Sequence, residues 1–134
     1  METDVQQLQE APSPVQEVRI LVVDDESKIR ELYRRLLDRT GYRVVAVGDA
    51  MEASSLLVRE RFDIVLLDIN MDEVDGATLF EVVRFFHKDI KIIISSVYSI
   101  NEQQARIKDA DGYFDKSDDK EVLLSLVSSF ITRR

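Results

Sequence analysis

From Val18 onward, short β-branched, apolar runs alternate with longer segments of helical period, and this alternation restricts the fold more than any other feature. The runs are Val18–Val23, Tyr42–Val47, Phe62–Leu67, Ile90–Ser95 and a weaker Gly112–Phe114. Several are apolar without period-two alternation, the pattern of strands covered on both faces in a parallel sheet. Between them, Ile29, Leu32, Tyr33, Leu36 and Leu37 fall on one helical face, as do Ala53, Leu56 and Leu57. Leu79, Val82, Val83 and Phe86 form a third such face, and Val122, Leu123, Leu126, Val127 and Phe130 a last one. Gly41 fits a C-terminal stop after the first helix, and Asp118 or Asp119 an N-cap for the last. Strand–helix units repeated in this way predict an α/β fold: an open, doubly wound five-stranded parallel sheet with helices on both faces.

A chain of 134 residues suits one domain with its own core. Residues 1–17 stand apart, with four acids, no base and both prolines (Pro12 and Pro14). They are expected to form an acidic, flexible tail, leaving 18–134 as the domain. The net charge of −8 argues against a phosphate-binding nucleic-acid face. The absence of Cys removes disulfides, thiol catalysis and thiolate metal sites. A single histidine, His87, removes multi-His metal centres, and its place at the polar end of the third helical segment speaks for a structural role. No apolar run approaches bilayer length and no signal-peptide pattern opens the chain, so the expectation is a cytoplasmic protein without membrane insertion.

In open α/β sheets ligands sit beyond the carboxyl ends of the strands. There the sequence places Asp24, Asp25 and Glu26 after the first run, Asp68 and then Asn70 after the third, Ser95 and Ser96 at the fourth, and Asp115 and Lys116 after the fifth. If the first and third strands are neighbours in the sheet, their carboxylates converge on one crevice. They repel one another unless a cation intervenes, and Mg²⁺ is the simplest choice because it takes carboxylates, water and phosphate oxygens together. A lysine and a hydroxyl nearby suit the remaining oxygens of a phosphoryl group.

The pieces ILVVDDE (Ile20–Glu26), FDIVLLDINM (Phe62–Met71), VDG (Val74–Gly76), KIIISS (Lys91–Ser96) and ADGYFDK (Ala110–Lys116), in this order, resemble the receiver domain of two-component response regulators. The resemblance spans about Arg19 to Ile131. It implies the flavodoxin-like strand order 2-1-3-4-5 of the chemotaxis receiver, an order that spacing alone does not supply. It implies that Asp68 accepts a phosphoryl group from a phosphohistidine on a sensor kinase or phosphotransfer protein, with Mg²⁺ as cofactor. By the same resemblance Asp25 binds the metal directly, Asp24 through water, and Asn70 through its backbone carbonyl. Lys116 pairs with Asp68 and then with a phosphoryl oxygen. Ser96 is the switch hydroxyl, with Ser95 the runner-up, and Tyr113 is the aromatic switch. The readout is a shift of the surface formed by the fourth helix, fifth strand and last helix, near Tyr98, Arg106, Tyr113 and Lys120. The implied protein modifies itself and is no turnover enzyme; its downstream target is a protein, and a homodimer is left open.

Four residues depart from the family pattern: Asp72 and Ser117 where Pro is usual, Val97 where a small residue is usual, and Asp109 for Gly. Val97 is expected to crowd the pocket, Ser117 to alter the loop after the fifth strand, and Asp109 to tolerate a left-handed backbone. Asp72, Val97 and Ser117 keep alive a receiver fold that serves as an unphosphorylated docking or dimerisation module. A calcium loop starting at Asp68 fails, since its sixth position is Glu73 and its twelfth Leu79. A dehalogenase-type phosphatase would need Asp, not Asn, at position 70, and a cap domain. Deleting residues 1–16 is predicted to leave the melting temperature nearly unchanged in a thermal scan; a large drop would show that they pack on the domain.

Overall fold

The computed structural model describes residues 17–71 and 76–131. Strand β1 is Arg19–Val23, β2 Arg43–Val47, β3 Ile64–Asp68, β4 Lys91–Ser96 and β5 Gly112–Asp115. Helix α1 is Ser27–Asp38, α2 Ala50–Arg59, α3 Gly76–Phe86, α4 Ile100–Arg106 and α5 Lys120–Ser129. The strands form one parallel sheet in the order β2-β1-β3-β4-β5, the expected doubly wound α/β arrangement. Among the described residues no helix is long and apolar enough to cross a membrane.

Side chains of each strand alternate between two cores. Leu21, Val23, Val65, Leu67, Ile92 and Ile94 pack under α2 and α3. Ile20, Val22, Ile64, Leu66, Ile93 and Phe114 pack under α1 and α5. The central strand β3 is buried at every residue, which is why its sequence reads as an apolar run with no polar face.

The expected faces of α1, α2 and α5 pack inward through Tyr33 and Leu37, Ala53 and Leu57, and Leu123 and Val127, except that Val122, assigned to the α5 face, is 46% exposed. Helix α3 differs. It buries Leu79, Phe80 and Val83, while Val82 and Phe86 are 38% and 69% exposed. The apolar stripe is broader than one face, and Phe80, covered by the Arg84 guanidinium at 5.2 Å, takes the inward place expected for Phe86. Gly41 follows α1 at φ +96°, as a C-terminal stop requires. Asp119 is the N-cap residue of α5, but its side chain makes no cap bond; its carbonyl accepts from Val122 N instead. Strand β3 starts later than expected and runs through Asp68, while Phe62, before it, is buried with the Arg19 guanidinium over its ring at 5.2 Å. Residues 1–16, Asp72, Val74 and 132–134 lie outside the described residues, so the tail and the Asp72 departure receive no structural account.

Gly76 is required by close approach. A Cβ there would lie 2.5 Å from the Asp68 carbonyl oxygen and 2.5 Å from Ile69 Cα, both backbone atoms. The start of α3 therefore rests directly on the segment that carries Asp68. Gly76→Ala is expected to lower stability by about 1–3 kcal/mol through overpacking, measured by chemical denaturation. An unchanged midpoint would contradict that close approach.

Candidate functional site

The acids at the strand ends meet as expected. One carboxylate oxygen from each of Asp24, Asp25 and Asp68 lies within 4.8 Å of the others. Asp24 and Asp68 are buried, at 1% and 3% exposure, while Asp25 is exposed. Asp24 follows β1, where its Oδ1 accepts from Glu26 N at 3.0 Å and its backbone carbonyl accepts from Arg30 at 2.8 Å. Asp68 closes β3, and its Oδ1 accepts from Asn70 N at 2.9 Å. These short local bonds orient both carboxylates and leave Oδ2 of each to face Lys116.

Lys116 Nζ lies 2.8 Å from Asp24 Oδ2 and 3.6 Å from Asp68 Oδ2. The lysine thus sits between the two buried acids and closer to Asp24, a refinement of the expected pairing with Asp68. Burial pulls its pKa down, but the close ion pair with Asp24 and the charge of Asp68 outweigh this and raise it. Burial acts the other way on Asp68, pushing its pKa up to about 6, with Asp24 and Asp25 adding to the rise and the Asn70 N–H and Lys116 opposing it. One lysine does not balance three carboxylates. The donor set of oxygens around a partly open, over-charged pocket fits a hard divalent cation such as Mg²⁺.

Both candidate hydroxyls are buried, on opposite faces of β4. Ser95, in register with Asp68, hydrogen-bonds the Tyr33 hydroxyl at 3.0 Å. Ser96 Oγ accepts from Tyr98 N at 3.1 Å, and its carbonyl accepts from Lys116 N at 2.8 Å. Sequence reasoning counted Tyr33 only as part of an apolar face. Its hydroxyl, closing the α1 side of the pocket, could have been suspected because a buried tyrosine needs a polar partner. Burial raises the Tyr33 pKa, so it stays a neutral phenol here.

Tyr113 is half-buried, and its hydroxyl donates to the Ile107 carbonyl at 2.6 Å while accepting from Ala110 N at 3.2 Å. The ring is thereby tethered to the end of α4. Asp109 adopts φ +68°, the left-handed backbone expected of it. Val97 is 65% exposed, so it stands at the surface rather than crowding the pocket. The Lys116–Ser117 peptide is trans. Ser117 instead donates to Asp115 Oδ1 through N (2.9 Å) and Oγ (2.7 Å), holding that carboxyl below the usual carboxylate range. Buried Gln103, between Tyr98 and β5, had no sequence signal beyond its position in a polar helix.

The sequence matches the family described as "Response regulator receiver domain" over residues 20–128. It is 36% identical over 118 residues to the response regulator MprA of Mycobacterium sp. (strain KMS), covering 87% of this chain and 51% of that protein. The chain thus spans about half the length of the curated relatives it matches. Among solved structures it resembles the response regulator protein TrrA from Thermotoga maritima in complex with Mg²⁺-BeF, with a TM-score of 0.79, 34% identity, and coverage of 85% of this chain and 99% of that one. It also resembles the chemotaxis response regulator CheY4 of Vibrio cholerae, with a TM-score of 0.80, 27% identity, and coverage of 87% and 100%.

The raised Asp68 pKa has a consequence for stability. A carboxyl that titrates near 6 when folded and near 3.8 when unfolded binds an extra proton in the folded state between those pH values. Its ionised form therefore costs stability above pH 6, and the cost fades as pH falls toward 4. Without divalent cations, Asp68→Asn is predicted to stabilise the protein by about 1–3 kcal/mol at pH 7.5. Urea titrations of both proteins should show this gain shrinking between pH 6 and pH 4; a gain that is absent or independent of pH would contradict the buried, repelled carboxylate.

Proposed function

The chain belongs to the response regulator receiver family of two-component systems, and from that membership we propose that it is a phospho-accepting receiver of a phosphorelay. The observation that carries this reading is Asp68 itself: buried, pushed up to about 6, and set between two further carboxylates and Lys116. Its donor is a phosphohistidine on a sensor histidine kinase or phosphotransfer protein. An Asp68 carboxylate oxygen forms the new O–P bond as the P–N bond breaks. The imidazole departs with the electron pair and takes a proton from solvent.

Asp25 and Asp68, the Asn70 carbonyl, and Asp24 through water would hold Mg²⁺. When bound it supplies positive charge that lets an anionic nucleophile meet an anionic phosphoryl group. Lys116, now on Asp24 and near Asp68, turns to a phosphoryl oxygen. Ser96 donates its hydroxyl to another, giving up the Tyr98 N–H that it now accepts. The α4–β5–α5 surface around Tyr98, Arg106, Tyr113 and Lys120 then changes its preferred arrangement and its affinity for a downstream protein. In this reading residues 18–134 are the receiver, residues 1–17 are an appended acidic tail, and the protein works in the cytoplasm.

Incubation with phosphoramidate and Mg²⁺ is expected to add one phosphoryl group to the intact mass. The addition should vanish without the metal and in Asp68→Asn. With Lys116→Met, modification is expected to persist while the response of the α4–β5–α5 surface is lost. Addition that persists in Asp68→Asn, or none at all in the wild type under rapid quenching, would refute the reading.

A further inference from the structure

Helix α4 has only seven residues, and Gln103 is its one buried residue. A helix this short gains little from its own backbone bonds and depends on what holds it to the sheet. In α1, α2, α3 and α5 the holding groups are mainly apolar side chains. In α4 the one buried side chain is a carboxamide at 0% exposure, and the apolar anchor, Ile107, stands only at the C-cap.

Gln103 Nε2 donates to two backbone carbonyls, Tyr98 O at 2.8 Å and Phe114 O at 2.9 Å. The first lies two residues beyond Ser96, the second two residues before Lys116. Tyr98 N donates to Ser96 Oγ and Lys116 N to Ser96 O, so the amide closes a ring of hydrogen bonds through the ends of β4 and β5. Gln103 Oε1 is buried and has no hydrogen-bond partner among the described residues. The hydrogen bonds of the amide are thus its two donor bonds, both to backbone carbonyls outside α4. The far side of α4 is tied as well: the Arg106 guanidinium covers the Tyr98 ring at 4.0 Å, and the Tyr113 hydroxyl donates to Ile107 O.

We propose that Gln103 is the positioning residue that makes the Ser96 loop, helix α4 and β5 move as one unit, through its bridge between the Tyr98 and Phe114 carbonyls. An apolar side chain would fill the same space, but its contact has no direction and would let the loop shift without the strand. Hydrogen bonds lose strength steeply with angle and distance, so the bridge forces the two carbonyls to keep step. A change at the Ser96 hydroxyl frees or captures the Tyr98 N–H, and the amide carries that shift to α4 and the strand bearing Tyr113. The inference rests on the phospho-acceptor reading and adds the residue through which that site would reach its output surface.

The test is hydrogen exchange by mass spectrometry on the full chain, wild type and Gln103→Met, each with and without phosphoramidate and Mg²⁺, alongside intact mass. Wild type should gain a phosphoryl group and change its exchange over residues 98–107 and 112–114 together. Gln103→Met should still gain the group, but its unmodified α4 should exchange about tenfold faster, as loss of two neutral hydrogen bonds implies. That exchange should no longer respond to modification. Should Gln103→Met fail to fold, Gln103→Asn keeps the amide but is too short to bridge both carbonyls, and it should uncouple the two segments in the same way. A variant that responds to modification as the wild type does, or whose α4 exchange is unaltered, overturns the proposal. Wild type that gains no mass refutes the phospho-acceptor reading and the coupling with it, a pattern distinct from normal gain with unaltered coupling.

Discussion

The structure is organised around an electrostatic imbalance: three carboxylates and one lysine share a pocket from which two of the acids cannot escape to water. The imbalance is built by topology. Strands β1 and β3 are neighbours, so acids that follow or end them must meet, and β5 places Lys116 beside them. Local bonds from Glu26 N and Asn70 N hold the acids in place, and Gly76 lets α3 press directly on the Asp68 segment. Without a cation, burial above all, with Asp24 and Asp25 adding to it, pushes the Asp68 pKa up to about 6. A divalent cation or a phosphoryl group held by a cation would relieve the imbalance, and the chemistry proposed for the site follows from that.

The scaffold around the pocket is uneven. On the α1 and α5 side, apolar packing is closed by the buried Tyr33–Ser95 hydroxyl pair, in register with Asp68. On the α4 side, the Ile107 anchor is joined by directional, polar attachments: the Gln103 amide, the Tyr113 hydroxyl and the Ser96–Tyr98 bond. Apolar cores are costly to rearrange, whereas a hydrogen-bonded segment can exchange partners at small net cost. In the proposed reading, the site stays rigid where charge gathers and transmits a change through the α4 side, and this division suits both.

How much of this could be read from the sequence follows the physics of each element. The strands were legible because burial on both faces leaves unbroken apolar runs, and the acids were legible because they stand where those runs stop. Helices α1, α2 and α5 were legible from their periodicity. In α3 the apolar positions outnumber one face, so periodicity could not tell Phe80 from Phe86, and contact with the sheet decided. Helix α4 was silent because its one buried residue is a glutamine, which looks like a surface residue until the carbonyls of Tyr98 and Phe114 are placed around it. Tyr33 and Ser95 lie 62 residues apart and become partners only through the fold. Asp109 was legible for the opposite reason: its left-handed backbone is a local matter, and a short polar side chain tolerates it.

In the proposed reading, the burial of Asp68 beside two further carboxylates makes the pocket a trap for a divalent cation and, through it, a phosphoryl group. A carbon-13 NMR pH titration of the Asp68 carboxyl, with and without Mg²⁺, tests this most directly. A midpoint near 6 is expected without the metal, falling into or below the ordinary carboxylate range when Mg²⁺ is added. A midpoint already near 3.8 in the metal-free protein, or one that Mg²⁺ does not move, would contradict it.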